Sequence, residues 1–254
     1  MATERCPTGV KGFDALVQGG LPRNSTVLLC GTPGCGKTIF ALEFLYRGAL
    51  EFGERGYYLT FEQTEDALRE QARQLNFKEF DRLEKQGAIT IKHVPVREID
   101  ASLTDWLKKE CQKLKVKRLV VDSLSTLAIN APIYTPVKDI ALVDIMKHNS
   151  FFSPPVLGDF VVKRFIYTFV DDLLDYDHTT TLLISEASEK GEYLSRDTIS
   201  EFVCDGVVML NFEPMGGQFS RSLLVRKMRH TKHDEDIHPL EVSDNGLVVH
   251  SLNQ

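Results

Sequence analysis

Apolar residues along this chain recur with two periods. Short runs at residues 25–30, 56–61, 88–93, 118–122, 180–185, 206–210 and 222–225 have the length and the β-branched or aromatic content of buried strands. Between them the spacing becomes helical. Residues 38–52 carry apolar side chains on nearly every side. Ala67, Leu68, Ala72 and Leu75 mark one face of a helix that Thr64 can cap, and residues 78–86 read as a polar helix. Leu103, Trp106, Leu107, Cys111 and Leu114 mark another helix face. Near the start, residues 8–22 form a short amphipathic element closed by Gly19, Gly20 and Pro22, and residues 240–252 predict a hairpin turning at Asp244-Asn245-Gly246. Strands alternating with helices predict an α/β fold: a doubly wound, mostly parallel sheet with helices on both faces and a C-terminal β-hairpin. Ligands of such sheets bind beyond the carboxyl ends of the strands.

One stretch interrupts the alternation. A crossover between residues 122 and 180 needs only a dozen or more residues, and residues 132–158, with Pro132, Pro136, Pro154, Pro155, Phe151 and Phe152, read as an insertion. Within it residues 137–148 predict a short helix, and a helix over 160–176 resumes the crossover. The chain reads as one domain over residues 1–254.

Composition narrows the function more than the fold. The net charge of −6 argues against a protein that coats nucleic acid by bulk charge. No apolar run is long enough to span a bilayer and the first residues are too polar for a signal peptide, so the expected address is cytoplasmic, with no membrane partner. The five cysteines are scattered without a C-x-x-C pair and frame neither zinc nor disulfides. Cys35 stands where a helix N-terminus can lower a thiol pKa, although the position also tolerates almost any residue.

Chemistry concentrates in Gly31-Thr32-Pro33-Gly34-Cys35-Gly36-Lys37-Thr38, a match to the phosphate-binding pattern G-x-x-x-x-G-K-[ST] between a predicted strand and a predicted helix. Glycines let the backbone curl around an anion, the amides and helix N-terminus attract its charge, and Lys37 reaches the outer phosphates. Thr38 can offer its hydroxyl to Mg²⁺. Glu62, Asp122 and Ser185 fall at the ends of neighbouring predicted strands, on the same sheet edge as the loop.

This loop, the preceding T-G-x-x-G-x-D, the Thr60-Phe61-Glu62 strand end, Leu119-Val120-Val121-Asp122-Ser123 and the tail Lys227-Met228-Arg229-His230-Thr231-Lys232-His233 together resemble the RecA/KaiC superfamily, and most closely its single-domain, KaiC-like P-loop ATPases of archaea and bacteria. The resemblance runs over nearly the whole chain. It implies a RecA-like core binding ATP and Mg²⁺, a hexameric ring of identical subunits, and nucleotide held between them. Residues 31–38 and His233 would contact nucleotide, Thr38 and Asp122 the metal, and Glu62 would orient and activate the attacking water. Lys37 would act in cis, while Lys227 and Arg229 would cross to the γ-phosphate of a neighbour. Ser185-Glu186 would stand where the family keeps a phosphate-sensing polar residue, and the loop 188–197 would face the ring's channel. The chain departs from the family pattern where Gln63 replaces a second glutamate, Ala187 an arginine, His230 a glycine and Lys232 a serine. Slow ATP hydrolysis is the expectation.

The functional reading is a ring-forming regulatory or signalling ATPase with a protein partner the sequence does not name. The alternative is a RecA/RadA-like DNA-binding ATPase of recombination or repair, which the mixed charge of the loop 188–197 does not favour. Autophosphorylation, known in some relatives, has no Ser/Thr-bearing extension here to support it.

Overall fold

The structure, a computed structural model, describes residues 4–100, 102–134, 154–174, 176, 178–187, 198–215 and 218–252. Two sheets form. β1 (Arg5–Cys6) and β2 (Leu21–Pro22) make a small antiparallel pair flanking α1 (Phe13–Leu16). The main sheet has nine strands: β3 (Thr26–Gly31), β4 (Gly56–Thr60), β5 (Ile89–His93), β6 (Arg118–Asp122), β7 (Thr180–Glu186), β8 (Gly206–Met215), β9 (Gln218–Met228), β10 (His238–Ser243) and β11 (Gly246–Val249). Their spatial order is β11-β10-β9-β8-β3-β7-β6-β4-β5, parallel from β8 through β5 and antiparallel from β8 to β11. This is the RecA-like arrangement expected, with its terminal hairpin.

The central strands are buried on both faces, and their alternation divides the core in two. Val27 and Leu29 of β3, Val120 of β6 and Leu182 and Ile184 of β7 pack into one layer, with α2 (Lys37–Phe52), α3 (Glu65–Gln74) and α4 (Phe80–Lys85). Leu28 and Cys30, Leu119 and Val121, and Leu183 point the other way, into a layer made with α5 (Leu103–Leu114), α6 (Leu124–Tyr134) and α7 (Pro154–Leu174). The short α8 (Ser200–Val203) precedes β8. At roughly 25 cal/mol for each square ångström of apolar surface removed from water, these two layers are the dominant stabilising term.

Local signals place the ends. Thr64 accepts from the Ala67 amide and caps α3, as its sequence position predicts. Gly53, at φ 63°, closes α2 in the left-handed conformation that a side chain disfavours.

Three elements differ in extent from the periodicity. β8 and β9 extend to Met215 and Gln218, because the ladder continues through polar residues such as Asn211↔Ser222 that hydrophobic patterning does not register. The crossover helix begins at Pro154 rather than near 160; prolines fit the first turn of a helix, where no intrahelical N–H bond is lost. Thus α6 takes up residues 132–134 and α7 residues 154–158 of the stretch read as inserted. Residues 135–153, including the helix expected at 137–148, lie outside the described residues, as does the loop 188–197. Among the described residues no helix is long and apolar enough to cross a membrane.

Candidate functional site

The site forms where β3, β4, β6 and β7 end side by side. Thr60 pairs with Asp122, Asp122 with Ile184, and Gly31 with Glu186, so the register carries the glycine loop, Glu62, Asp122 and Ser185 to one edge.

The loop leaves β3 at Gly31, where an added Cβ would fall 2.0 Å from the Leu210 carbonyl oxygen, and it turns through positive φ at Gly34 and Gly36 to start α2. Lys37 folds back onto its own loop: Nζ donates to the carbonyls of Gly31 at 2.8 Å and Thr32 at 3.0 Å. Thr32 Oγ1 accepts from the Phe212 amide. Arg221 Nε donates to the Gly34 carbonyl at 3.1 Å, with its guanidinium 4.3 Å from the Phe212 ring centroid. Pro33 and Gly34 are exposed, whereas Cys35 is fully buried. Burial raises the Cys35 thiol pKa against the lowering pull of Lys37, which overturns the alternative of a helix-activated thiol at this position.

Asp122 closes β6 and is nearly inaccessible. Tyr58, wholly buried in β4, donates its hydroxyl to Asp122 Oδ2 at 2.6 Å. Burial pushes the Asp122 carboxyl up to about 6; the Tyr58 bond opposes that rise, the charge of Glu62 adds to it, and Lys37 counters it. The following peptide, Asp122–Ser123, is cis. Glu62 is exposed, yet its Oε1 is gripped by two hydroxyls, Ser123 Oγ and Thr126 Oγ1, the latter at 2.5 Å. Gln63 is tied through its backbone, its N–H donating to Thr60 Oγ1 and its carbonyl accepting from it. Ser125 connects the next strand end, donating nothing to Glu62 but accepting from the Glu186 amide at 2.8 Å and lying 3.3 Å from Ser185 Oγ.

The remaining candidates lie elsewhere. β9 runs antiparallel to β3, and Lys227 pairs with Val207, which pairs with Leu28; Arg229 donates its amide to Asp205, whose own amide reaches Thr26. At about 3.3 Å per residue, Lys227 is roughly 10 Å below Gly31 along the strand, and Arg229 is farther. Lys227 Nζ instead donates to the carbonyls of Glu201, Phe202 and Cys204, the shortest 2.7 Å, and burial followed by the nearby Arg229 charge lowers its pKa. Arg229 donates to the Phe202 carbonyl and pairs with Asp205 at 3.5 Å. His233 lies in the connection to β10, beside Asp234, whose amide bonds the Leu16 carbonyl. His230 has φ 56°, so the histidine standing in the motif's glycine position keeps the left-handed backbone that glycine adopts freely.

The fold thus brings Gly31–Thr38, Glu62, Asp122 and Ser185 to the one edge expected from the sequence, and adds Tyr58, Thr126 and Arg221, which the sequence does not single out. Tyr58 looked like core because its hydroxyl partner sits on another strand. Ser123 and Thr126 carried a weak signal, two hydroxyls three apart directly after a strand-end carboxylate.

Comparison with known proteins agrees with this geometry. The KaiC ATPase family model matches residues 6–150 and 158–254. A UPF0273 protein of Thermotoga maritima is 30% identical over 264 residues, covering 97% of this chain and 96% of that protein. The circadian clock protein KaiC2 of Synechocystis is 27% identical over 96% of this chain, which spans 40% of that longer protein. Among solved structures, a KaiC-like protein of Pyrococcus horikoshii superposes with a TM-score of 0.79 at 30% identity, covering 98% of this chain and all of that one. With the family model matched over most of the chain and the fold shared with that solved neighbour, the chain belongs to the KaiC family of ATPases.

Proposed function

We propose that this protein hydrolyses ATP at sites shared between neighbouring copies of itself, arranged in a ring, and uses nucleotide state to regulate a protein partner. The observation that carries the reading is the placement of Lys227 and Arg229. Both are too far below their own phosphate loop to touch a nucleotide there, and both are held beside Phe202, an aromatic residue 62% exposed. A cationic pair with an exposed aromatic neighbour suits a protein interface, and cations supplied in trans to a γ-phosphate accelerate hydrolysis by about 10³ to 10⁵.

Within one site the roles follow the chemistry. The backbone N–H groups of residues 34–38 hold the phosphates, and Lys37 exchanges its two loop carbonyls for phosphate oxygens. Thr38 and Asp122 present hard oxygen donors of the kind that Mg²⁺ takes while keeping most of its water. Held by Thr38 and Asp122, Mg²⁺ would supply positive charge against the nucleotide's outer phosphates. Glu62, with Oε1 held by Ser123 and Thr126, has Oε2 left to accept a proton from water. His233 would touch the neighbour's nucleotide from the same edge as Lys227 and Arg229.

Mixing two inactive variants tests the shared site. Lys37→Ala and Arg229→Ala should each lose turnover, Arg229→Ala while still binding ATP. Mixed together they should regain a fraction of wild-type activity, since some interfaces combine an intact loop with an intact Arg229. Absence of any recovery, or a monomeric mass in solution with Mg-ATP present, would refute the arrangement.

A further inference from the structure

The carboxylate of Glu62 is exposed and would be expected to sample several rotamers, at a cost of order 1–2 kcal/mol to immobilise. It is nevertheless fixed. Ser123 Oγ and Thr126 Oγ1 both contact Oε1, and the Thr126 amide donates to Ser123 Oγ at 3.3 Å. Each hydroxyl has one proton. An ionised carboxylate only accepts, so both protons point at Oε1; the 3.3 Å approach between the two hydroxyl oxygens is then a contact rather than a donated bond. The Thr126 amide finds its acceptor in the lone pair that Ser123 has left. Ser123 is thus the N-cap of α6 and a donor to Glu62 at once. Oε1 is saturated, while Oε2 accepts no hydrogen bond among the described residues.

We infer that Thr126, with Ser123, is a positioning residue of the hydrolytic reaction: the pair locks Oε1 of Glu62 so that Oε2 alone faces the attacking water. The inference rests on the reading of Glu62 as the water-activating residue. General-base assistance is worth about 10² to 10⁴ in rate, and it depends on heavy-atom placement within hydrogen-bond reach of the water. A glutamate free to turn loses part of that factor without losing nucleotide. Thr126 is partly exposed and its methyl group is matched by valine, so its hydroxyl can be removed with little effect on packing.

Steady-state hydrolysis and equilibrium binding of a fluorescent ATP analogue separate the possibilities. Thr126→Val should lower kcat about tenfold while KM and the analogue's Kd stay within about twofold; Thr126→Ser, which keeps the donor, should return kcat to within about twofold of wild type. In a Glu62→Ala background, Thr126→Val should change the residual rate no further. The inference is overturned if Thr126→Val turns over like wild type, if Thr126→Ser is as impaired as valine, or if the valine effect persists without Glu62. Should Thr126→Val fail to fold, Ser123→Ala and Thr126→Ala are measured against the same criteria. Glu62→Gln reports separately: wild-type turnover in that variant would remove the catalytic reading of Glu62 itself, whereas an inactive Glu62→Gln beside an unaffected Thr126→Val would sink the positioning role alone.

Discussion

Glu43 offers a direct test of how the C-terminal hairpin is fastened to the phosphate-loop helix. It lies on α2, 1% exposed, and Oε2 accepts the Leu247 amide at 2.8 Å where β11 begins. Arg47 reaches Oε1 at 3.5 Å, and a Cβ on Gly246 would fall 2.3 Å from Oε2, so the carboxylate fills the space beneath the turn. Burial pushes its pKa from the ordinary 4.5 to about 7, against the lowering effects of the Leu247 amide and Arg47. At pH values between these two numbers the folded chain holds a proton that the unfolded chain has released. Stability therefore falls as pH rises through this window and is level above it. With about 1.4 kcal/mol per pH unit, the loss is roughly 3 kcal/mol between pH 4.5 and 7, a large share of a typical 5–15 kcal/mol. Glu43→Gln keeps an acceptor for Leu247 and never ionises. Urea unfolding followed by the fluorescence of Trp106, the chain's one tryptophan, at half-unit steps from pH 4.5 to 8 isolates the effect. The variant should gain on wild type by about 3 kcal/mol across the window, whatever constant offset the amide introduces. Parallel profiles for the two proteins would refute the reasoning, because every other titrating group is common to both.

Two further substitutions probe the buried Asp122 and the far end of β9. Tyr58→Phe removes the donor to the buried Asp122 carboxylate and should cost about 1.5–3 kcal/mol at pH 8, as expected for a hydrogen bond to a charged group. The loss should shrink at pH 5, below the Asp122 pKa of about 6, and an equal loss at both pH values in denaturant titrations would argue against the assignment. His230→Gly relieves a left-handed backbone that costs an L-residue roughly 1–2 kcal/mol, partly offset by the greater freedom of glycine when unfolded. A rise in thermal midpoint is expected, and a fall would mean that the imidazole makes a stabilising contact.

Hydrophobic periodicity by itself determined the main strands, most of the helices, the doubly wound sheet and its terminal hairpin, because strands buried on both faces and amphipathic helices leave patterns that survive in one dimension; α6 (Leu124–Tyr134) was not among them. The glycine loop was equally legible, since binding a phosphate with backbone amides demands glycine at fixed spacings. Glu62 and Asp122 could be found because both are polar residues ending apolar runs. Tertiary structure alone decided the rest. Tyr58 became a partner of Asp122, and Thr126 of Glu62, only when β4 and β6 lay side by side, a neighbour relation set by crossover topology rather than by sequence distance. Register decided the most consequential point: β9 runs antiparallel to β3 and carries Lys227 and Arg229 to the edge opposite their own loop. A linear motif gives no direction to a strand, so their distance from the phosphate site could be read only from the folded sheet.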